Sequence, residues 1–119
     1  MKKATILLAE DNKLNRRNLA VYLRSFQLHV VETNDGQEAL DLVRNGLEFD
    51  ALVTDYQMPR LNGGQLIEQL RQDGYTQPMI VWTAMIQLPV CPGADHIISK
   101  LSGPTTVLKA LQQCLWPSP

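Results

Sequence analysis

The sequence contains few cysteines and has almost no net charge. Two of its 119 residues are cysteines, Cys91 and Cys114. Neither belongs to a Cys-x-x-Cys pair or has a matching histidine pair, so we expect no zinc site. A disulfide stays open, although two free thiols in a reducing compartment are the simpler interpretation. The 11 Lys and Arg residues nearly cancel the 12 Asp and Glu residues. This balance argues against a dedicated nucleic-acid-binding protein, which usually carries a basic excess.

Long hydrophobic runs are also missing. No stretch reaches the roughly 18 apolar residues of a membrane-spanning helix. The apolar segment near the N-terminus meets Glu10 and Asp11 too soon for a signal peptide. We therefore expect a soluble, cytoplasmic protein that forms one domain over residues 1–119, with its core over about residues 5–116.

The order of apolar and amphipathic segments is typical of an α/β protein. Five short apolar or β-branched runs are predicted strands: Thr5–Ala9, His29–Thr33, Ala51–Thr54, Met79–Thr83 and Ile97–Ser99. The first, third and fourth runs are almost continuously apolar, as expected of strands buried on both faces of a parallel sheet.

Four segments have the periodicity of helices: Leu14–Phe26, Gln37–Asn45, Asn62–Asp73 and Pro104–Trp116. Asn12 is a predicted N-cap, and Gly46 stands where a glycine commonly ends a helix. Trp82 and Trp116 are expected in the core. The first helix is expected to bury one broad face, made of Leu14, Leu19, Val21, Tyr22, Leu23 and Phe26.

The segment from Ala84 to Asp95 breaks this alternation. A crossover helix is expected between the fourth and fifth strands. Pro89 and Pro92 forbid a regular helix through the middle of the segment. We predict a loop here, with one short turn at most.

The residues that follow the predicted strands share a chemistry. Ligands of open α/β sheets gather beyond the carboxyl ends of the strands. Clustered carboxylates need a neutralising cation, and oxygen ligands without clustered His or Cys favour Mg²⁺ or Mn²⁺. Lysine and threonine can contact phosphoryl oxygens. A phosphoryl-transfer site with an aspartyl phosphate is therefore predicted from Glu10, Asp11, Asp55, Thr83 and Lys100.

In these motifs the chain resembles the receiver domain of two-component response regulators and hybrid sensor kinases. The resemblance spans about residues 5–116 and implies a flavodoxin-like, doubly wound sheet of five parallel strands in the order 2-1-3-4-5. In this chain we expect the fourth crossover helix of that fold, between the fourth and fifth strands, to be shortened or missing. The motifs are Glu10-Asp11, Asp55-Tyr56-Gln57-Met58-Pro59 with Gly63 after it, Thr83-Ala84, Gly93-Ala94 and Lys100. The segment Glu10-Asp11-Asn12-Lys13-Leu14-Asn15 is similar to receivers of hybrid kinases.

The resemblance implies a role for each acidic residue. Asp55 is the expected phosphoacceptor. Asp11, Asp55 and the backbone carbonyl of Gln57 are the expected direct ligands of Mg²⁺, while Glu10 is expected to act mainly through metal-bound water.

Thr83 and Lys100 are expected to sense the phosphoryl group. Three departures from the family pattern lie nearby. Leu101 replaces the usual proline after the lysine, so the usual cis peptide bond is not expected. Ile97 occupies a switch position that is often aromatic, and the helix before the fifth strand is interrupted. Many receivers dimerise or signal through the surface that includes this helix, so we predict only weak phosphorylation-dependent dimerisation.

The expected function is that of a phosphoacceptor signalling domain and not of an enzyme with separate substrates. Asp55 would receive a phosphoryl group from a histidine kinase or histidine phosphotransfer domain, and binding to a downstream protein would change. The site would catalyse only its own phosphorylation and slow dephosphorylation. We expect a monomer or weak dimer without direct nucleic-acid or membrane binding. A stand-alone protein and an excised domain both stay open.

Three alternatives compete with this function. The first is a degenerate receiver that acts as a phosphorylation-independent interaction module, which Ile97 and the interrupted helix favour and the complete site disfavours. The second, a phosphatase with an aspartate nucleophile, needs a second acid where Gln57 stands. The third, a flavin or dinucleotide binder, needs a glycine-rich loop where Glu10 and Asp11 stand.

Overall fold

The structure, a computed structural model, describes residues 3–117. The ends of the predicted domain, residues 1–2 and 118–119, lie outside the described residues. Five parallel strands form one sheet: β1 (Thr5–Ala9), β2 (His29–Thr33), β3 (Ala51–Thr54), β4 (Met79–Thr83) and β5 (His96–Ser99). Their order is β2-β1-β3-β4-β5, which confirms the predicted doubly wound, flavodoxin-like topology. The bounds of β1 to β4 match the prediction, and β5 begins one residue earlier.

Four α-helices connect or follow these strands: α1 (Lys13–Arg24), α2 (Gly36–Arg44), α3 (Gly63–Gln72) and α4 (Pro104–Leu115). Their ends lie within two residues of the predicted ones. Asn12 caps α1 as predicted, since its side chain accepts the Asn15 amide over 2.9 Å. Gly46 follows α2 at a φ of 105°, a left-handed conformation that suits glycine. None of the helices in residues 3–117 is long and apolar enough to cross a membrane.

Strand β1 faces both halves of the core. Ile6 and Leu8 pack with α1 and α4 on one face of the sheet, whereas Leu7 and Ala9 pack with α2 and α3 on the other. All four side chains are fully buried. Because helices cover both faces, the central strands have no polar face, which explains their continuous apolar runs.

Helix α1 buries a narrower face than its sequence predicted. Leu19 and Leu23 are buried as expected. A helix on the surface of a sheet covers only one stripe of its circumference, so the outer part of the predicted face stays in solvent. Three of its predicted core residues are exposed: Leu14, Val21 and Phe26. The core prediction for Trp116 is also wrong, because this residue follows the end of α4 and is 58% exposed.

Residues 84–95 form a loop without a helix, as their prolines predicted. Arg71 of α3 holds this loop, because its guanidinium donates to the Gly93 carbonyl over 2.9 and 3.1 Å and to the Asp95 carboxylate over 3.0 Å. Asp95 in turn accepts the amide of Met79, at the start of β4, over 2.8 Å. Side-chain hydrogen bonds thus attach the loop to α3 and to the sheet.

Candidate functional site

Three carboxylates meet at the carboxyl ends of β1 and β3, which are neighbours in the sheet. Glu10 and Asp11 directly follow β1, and Asp55 directly follows β3. One carboxylate oxygen from each residue lies within 4.8 Å of the others. Glu10 is fully buried, Asp55 is nearly buried and Asp11 is exposed. A hard divalent cation fits this donor set, because such cations prefer several oxygen ligands.

Lys100 is the cation that contacts two of these carboxylates. It follows β5, and its ammonium donates hydrogen bonds to Oε1 of Glu10 and, over 3.1 Å, to Oδ2 of Asp55. The same Nζ lies 4.9 Å from the centre of the Trp82 ring, within the range of a cation–π interaction. The described residues contain no cis peptide bond, so the bond between Lys100 and Leu101 is trans.

The pKa values of Glu10 and Lys100 are both raised, but for different reasons. Burial is the largest influence on Glu10 and raises its pKa, and the charge of Asp55 raises it further against the opposing hydrogen bonds from Lys100 and the Asn12 amide. Burial lowers the pKa of Lys100, but the hydrogen bonds and charges of Glu10 and Asp55 together outweigh it. The lysine therefore stays protonated at neutral pH.

Backbone groups orient the two contacting carboxylates. Oε2 of Glu10 accepts the Asn12 amide over 3.0 Å, and Oδ1 of Asp55 accepts the Tyr56 amide over 2.7 Å. The turn after Asp55 closes where the Gly63 amide donates to the Tyr56 carbonyl over 2.8 Å. A Cβ at Gly63 would lie 2.1 Å from the Asp55 carbonyl oxygen, so this close approach requires glycine.

The remaining predicted site residues lie around this cluster. Thr83 ends β4, is fully buried, and its hydroxyl oxygen accepts the Met85 amide over 3.2 Å. Gln57 is exposed in the loop between β3 and α3. Ile97 is partly buried in β5 and packs against the apolar cluster under α2 and α3. Among the residues that the structure describes, no hydrogen bond joins these three to the carboxylates, and their proposed roles stay predictions.

Sequence reasoning missed two contacts of the site. Trp82 was expected in the core and is 6% exposed, but its position beneath Lys100 was not foreseen. Arg16 of α1 donates to the main-chain carbonyl of Glu10 over 3.0 Å. The sequence gives a weak signal for Arg16, which lies on the first turns of the helix that follows Glu10, and none for the pairing of Trp82 with Lys100.

Residues 6–112 match the response regulator receiver domain family. A response regulator receiver protein from Anaeromyxobacter sp. (strain Fw109-5) is 42% identical over 107 residues, which cover 88% of this chain and 44% of that protein. The sensor histidine kinase RcsC of Salmonella typhi is 35% identical over 115 residues, which cover 92% of this chain and 12% of the kinase. The chain thus spans less than half the length of either relative.

Solved structures share the fold. The receiver domain of sensor histidine kinase PA1611 from Pseudomonas aeruginosa PAO1, with a magnesium ion coordinated in its active site cleft, superposes with a TM-score of 0.85 at 26% identity and covers 96% of this chain and 98% of its own. The response regulator TrrA from Thermotoga maritima, in complex with Mg²⁺ and BeF, has a TM-score of 0.86 at 21% identity and covers 94% of this chain and 99% of its own. The match over residues 6–112, together with the strand order and the cluster of acids beside a lysine, shows that the chain belongs to the response regulator receiver domain family.

Proposed function

We propose that Asp55 accepts a phosphoryl group from the phosphohistidine of a histidine kinase or a histidine phosphotransfer domain, and that this change alters the binding of a partner protein. The reaction requires Mg²⁺ or Mn²⁺. The observation that carries the proposal is the cluster of Glu10, Asp11 and Asp55, with one oxygen of each within 4.8 Å of the others, and with Lys100 bound to two of its members.

The donor set fits the metal. Asp11, Asp55 and the backbone carbonyl of Gln57 would ligate the ion, and Glu10 would contact it mainly through water. Such an ion stabilises the negative charge that gathers on a phosphoryl group during its transfer. The PA1611 receiver, which holds a magnesium ion in its active site cleft, supports this assignment.

The chain supplies the nucleophile and the groups that receive the product. A carboxylate oxygen of Asp55 attacks phosphorus, a P–O bond forms and the P–N bond of the donor breaks. The electron pair stays on the imidazole nitrogen, which takes up a proton from solvent. Lys100, which pairs with Asp55 before the reaction, then binds a phosphoryl oxygen, and the Thr83 hydroxyl donates a hydrogen bond to another. When Lys100 and Thr83 make these contacts, Ile97 in the neighbouring strand β5 changes its packing against the apolar cluster under α2 and α3.

The complete site supports a phosphoacceptor function over a degenerate receiver. All of the acids and the lysine that the transfer needs are present, and Lys100 already contacts the proposed nucleophile. The domain acts on itself, through its own phosphorylation and the slow hydrolysis of its acyl phosphate. Cytoplasmic location, a monomeric or weakly dimeric state and the absence of nucleic-acid binding stay predictions from the sequence.

Intact mass after incubation with acetyl phosphate tests the proposal. We expect a gain of one phosphoryl group that requires MgCl₂ and disappears in Asp55→Asn. Asp73→Asn is the matched control, because Asp73 is an exposed carboxylate that pairs with Arg44 away from the site. Equal labelling of Asp55→Asn and the wild type would refute the assignment of Asp55. If the wild type took no label from acetyl phosphate or a phosphohistidine donor and bound no Mg²⁺, the phosphoacceptor function would be refuted.

A further inference from the structure

An ion pair joins the start of α2 to the loop that follows the phosphoacceptor. Residues 56–61, between Asp55 and the cap of α3, are called the phosphoacceptor loop here. Arg60 in this loop donates from Nε to Oδ2 of Asp35 over 2.9 Å and from its terminal nitrogen to Oδ1 over 3.0 Å. The two parallel hydrogen bonds fix both the separation and the orientation of the partners. Asp35 is nearly buried and also caps α2, because it accepts the Glu38 amide over 2.8 Å.

Other hydrogen bonds hold the phosphoacceptor loop only at its ends. The Tyr56 amide donates to Asp55, and the Gly63 amide donates back to the Tyr56 carbonyl. A further bond, from residue 61 to residue 59, stays inside the loop. Across residues 3–117, the pair of Asp35 and Arg60 is the only hydrogen-bonded link between residues 57–61 and another element.

The backbone around Arg60 also needs external support. Arg60 has a φ of 67°, a left-handed conformation that side chains other than glycine rarely adopt and that persists where the surroundings hold it. The first turn of α2 lies directly against the loop, because a Cβ at Gly36 would come within 2.3 Å of the Leu61 carbonyl oxygen. The ion pair and this close approach act at the same junction.

We propose that Arg60 is a positioning residue: through Asp35 it holds the phosphoacceptor loop so that the Gln57 carbonyl is kept in place to bind Mg²⁺. This inference rests on the proposed function, which assigns that carbonyl to the metal. The Arg60 side chain is 60% exposed, so its ion pair contributes little to the stability of the whole domain. Its effect is on the loop, where it is the sole link of this kind to α2 among the described residues.

Calorimetric titration with MgCl₂ tests the inference in Arg60→Met and in Asp35→Asn, whose asparagine retains the helix cap. We expect the dissociation constant for Mg²⁺ to rise about tenfold in each variant, as for the loss of other groups that orient metal ligands. The double variant is expected to be no weaker than either single variant, because the two residues act as one pair. Arg60→Lys keeps the charge without the two-point contact and is expected to be intermediate.

Amide hydrogen exchange of the metal-free protein gives a second readout. Arg60→Met is expected to exchange faster at residues 57–61 and unchanged in β1 and β3. The matched control is Arg44→Met, which removes a guanidinium from an exposed ion pair with Asp73, at 3.1 Å, between the C-terminal ends of α2 and α3. This control is expected to keep the wild-type affinity for Mg²⁺.

The outcomes separate this inference from the proposed function. If the wild type binds MgCl₂ and Arg60→Met binds it equally well, the inference is overturned and the proposed function stands. If Arg44→Met weakens Mg²⁺ binding as much as Arg60→Met does, general destabilisation explains both and the inference is again overturned. A wild-type protein that binds no MgCl₂ would overturn the inference together with the metal assignment.

Discussion

Glu10 is a fully buried carboxylate with a partner for each oxygen, Lys100 on one side and the Asn12 amide on the other. A buried charge is tolerated only where it is paired and hydrogen-bonded, so these contacts are what allow an acid at this position. Its neighbour Asp11 is exposed and free of such constraint. Adjacent acids in the sequence thus occupy very different environments, which suits the proposed water-mediated contact of Glu10 with Mg²⁺ and the proposed direct contact of Asp11.

The raised pKa of Glu10 predicts a pH dependence of stability. Burial, aided by the charge of Asp55, raises this pKa above the ordinary value of 4.5. Between 4.5 and the folded-state pKa, the folded protein holds a proton that the unfolded chain releases, so the contribution of Glu10 to the free energy of unfolding falls as pH rises. In metal-free buffer, the free energy of unfolding of the wild type minus that of Glu10→Gln is expected to fall as pH rises through this window.

Urea unfolding at a series of pH values measures that difference. Glu68→Gln, at an exposed position of α3, is the matched control. Added MgCl₂ is expected to reduce the fall in the Glu10 difference, because a cation beside the acids favours their charged forms. A difference that rises with pH in metal-free buffer would contradict a raised pKa for Glu10.

The segment between β4 and β5 shows how one element can be replaced without loss of the sheet. The loop of residues 84–95 covers the end of the cluster under α3 with the nearly buried Cys91. Arg71 supports it from α3, with further hydrogen bonds of 3.0 and 2.9 Å to the carbonyls of Tyr75 and Gln77. The Arg71 guanidinium therefore connects α3, residues 75–77 and the loop of residues 84–95. A helix between β4 and β5 would hold these segments together by packing.

Removal of this guanidinium is expected to loosen the loop. Arg71→Met removes the side-chain donor of the Gly93, Tyr75 and Gln77 carbonyls and one of the two donors of Asp95. This loss is expected to lower the free energy of unfolding by about 2 kcal/mol. Arg44→Met breaks a more exposed ion pair and is expected to cost less than about 1 kcal/mol. Chemical denaturation measures both. Amide exchange in Arg71→Met is expected to rise in residues 91–95, and unchanged exchange there would contradict a supporting role.

At the scale of the whole molecule, apolar side chains lie in solvent in the helix-free loop and after β5. Ile86 is fully exposed in the loop of residues 84–95, and Leu101 is 90% exposed after β5. Many members of the family dimerise or signal through a surface that includes a helix at this position. Because residues 84–95 contain none, this segment offers exposed apolar side chains such as Ile86 in place of a packed helical surface.

We therefore expect phosphorylation to cause little dimerisation. Sedimentation velocity with Mg²⁺ and beryllofluoride, a phosphoryl mimic, is expected to show a predominantly monomeric protein at micromolar concentration. Ile86→Ser is expected to leave both the sedimentation and the stability unchanged, because its side chain is fully exposed. A tight dimer that forms only with the mimic would contradict the prediction.

The sequence was enough to predict the order of strands and helices along the chain, the loop at residues 84–95 and the residues of the acidic site. Strands buried on both faces are apolar throughout, prolines exclude a helix, and parallel strands end at one edge of the sheet, so Glu10, Asp11 and Asp55 were expected at the same edge. The strand order that makes β1 and β3 neighbours was implied by the resemblance to receiver domains. These are consequences of local backbone geometry and of a topology with few alternatives.

Only the tertiary structure decided which groups touch. Lys100 and Glu10 are 90 positions apart, and Arg60 and Asp35 are 25 positions apart. The periods of helices and strands relate residues within one element and say nothing about such pairs. The same limit explains the exposed Leu14, since the width of a buried face depends on what packs against it, and the exposed Trp116, which follows the end of α4. Contacts between elements are set by how the elements pack, and that packing exists only in the folded chain.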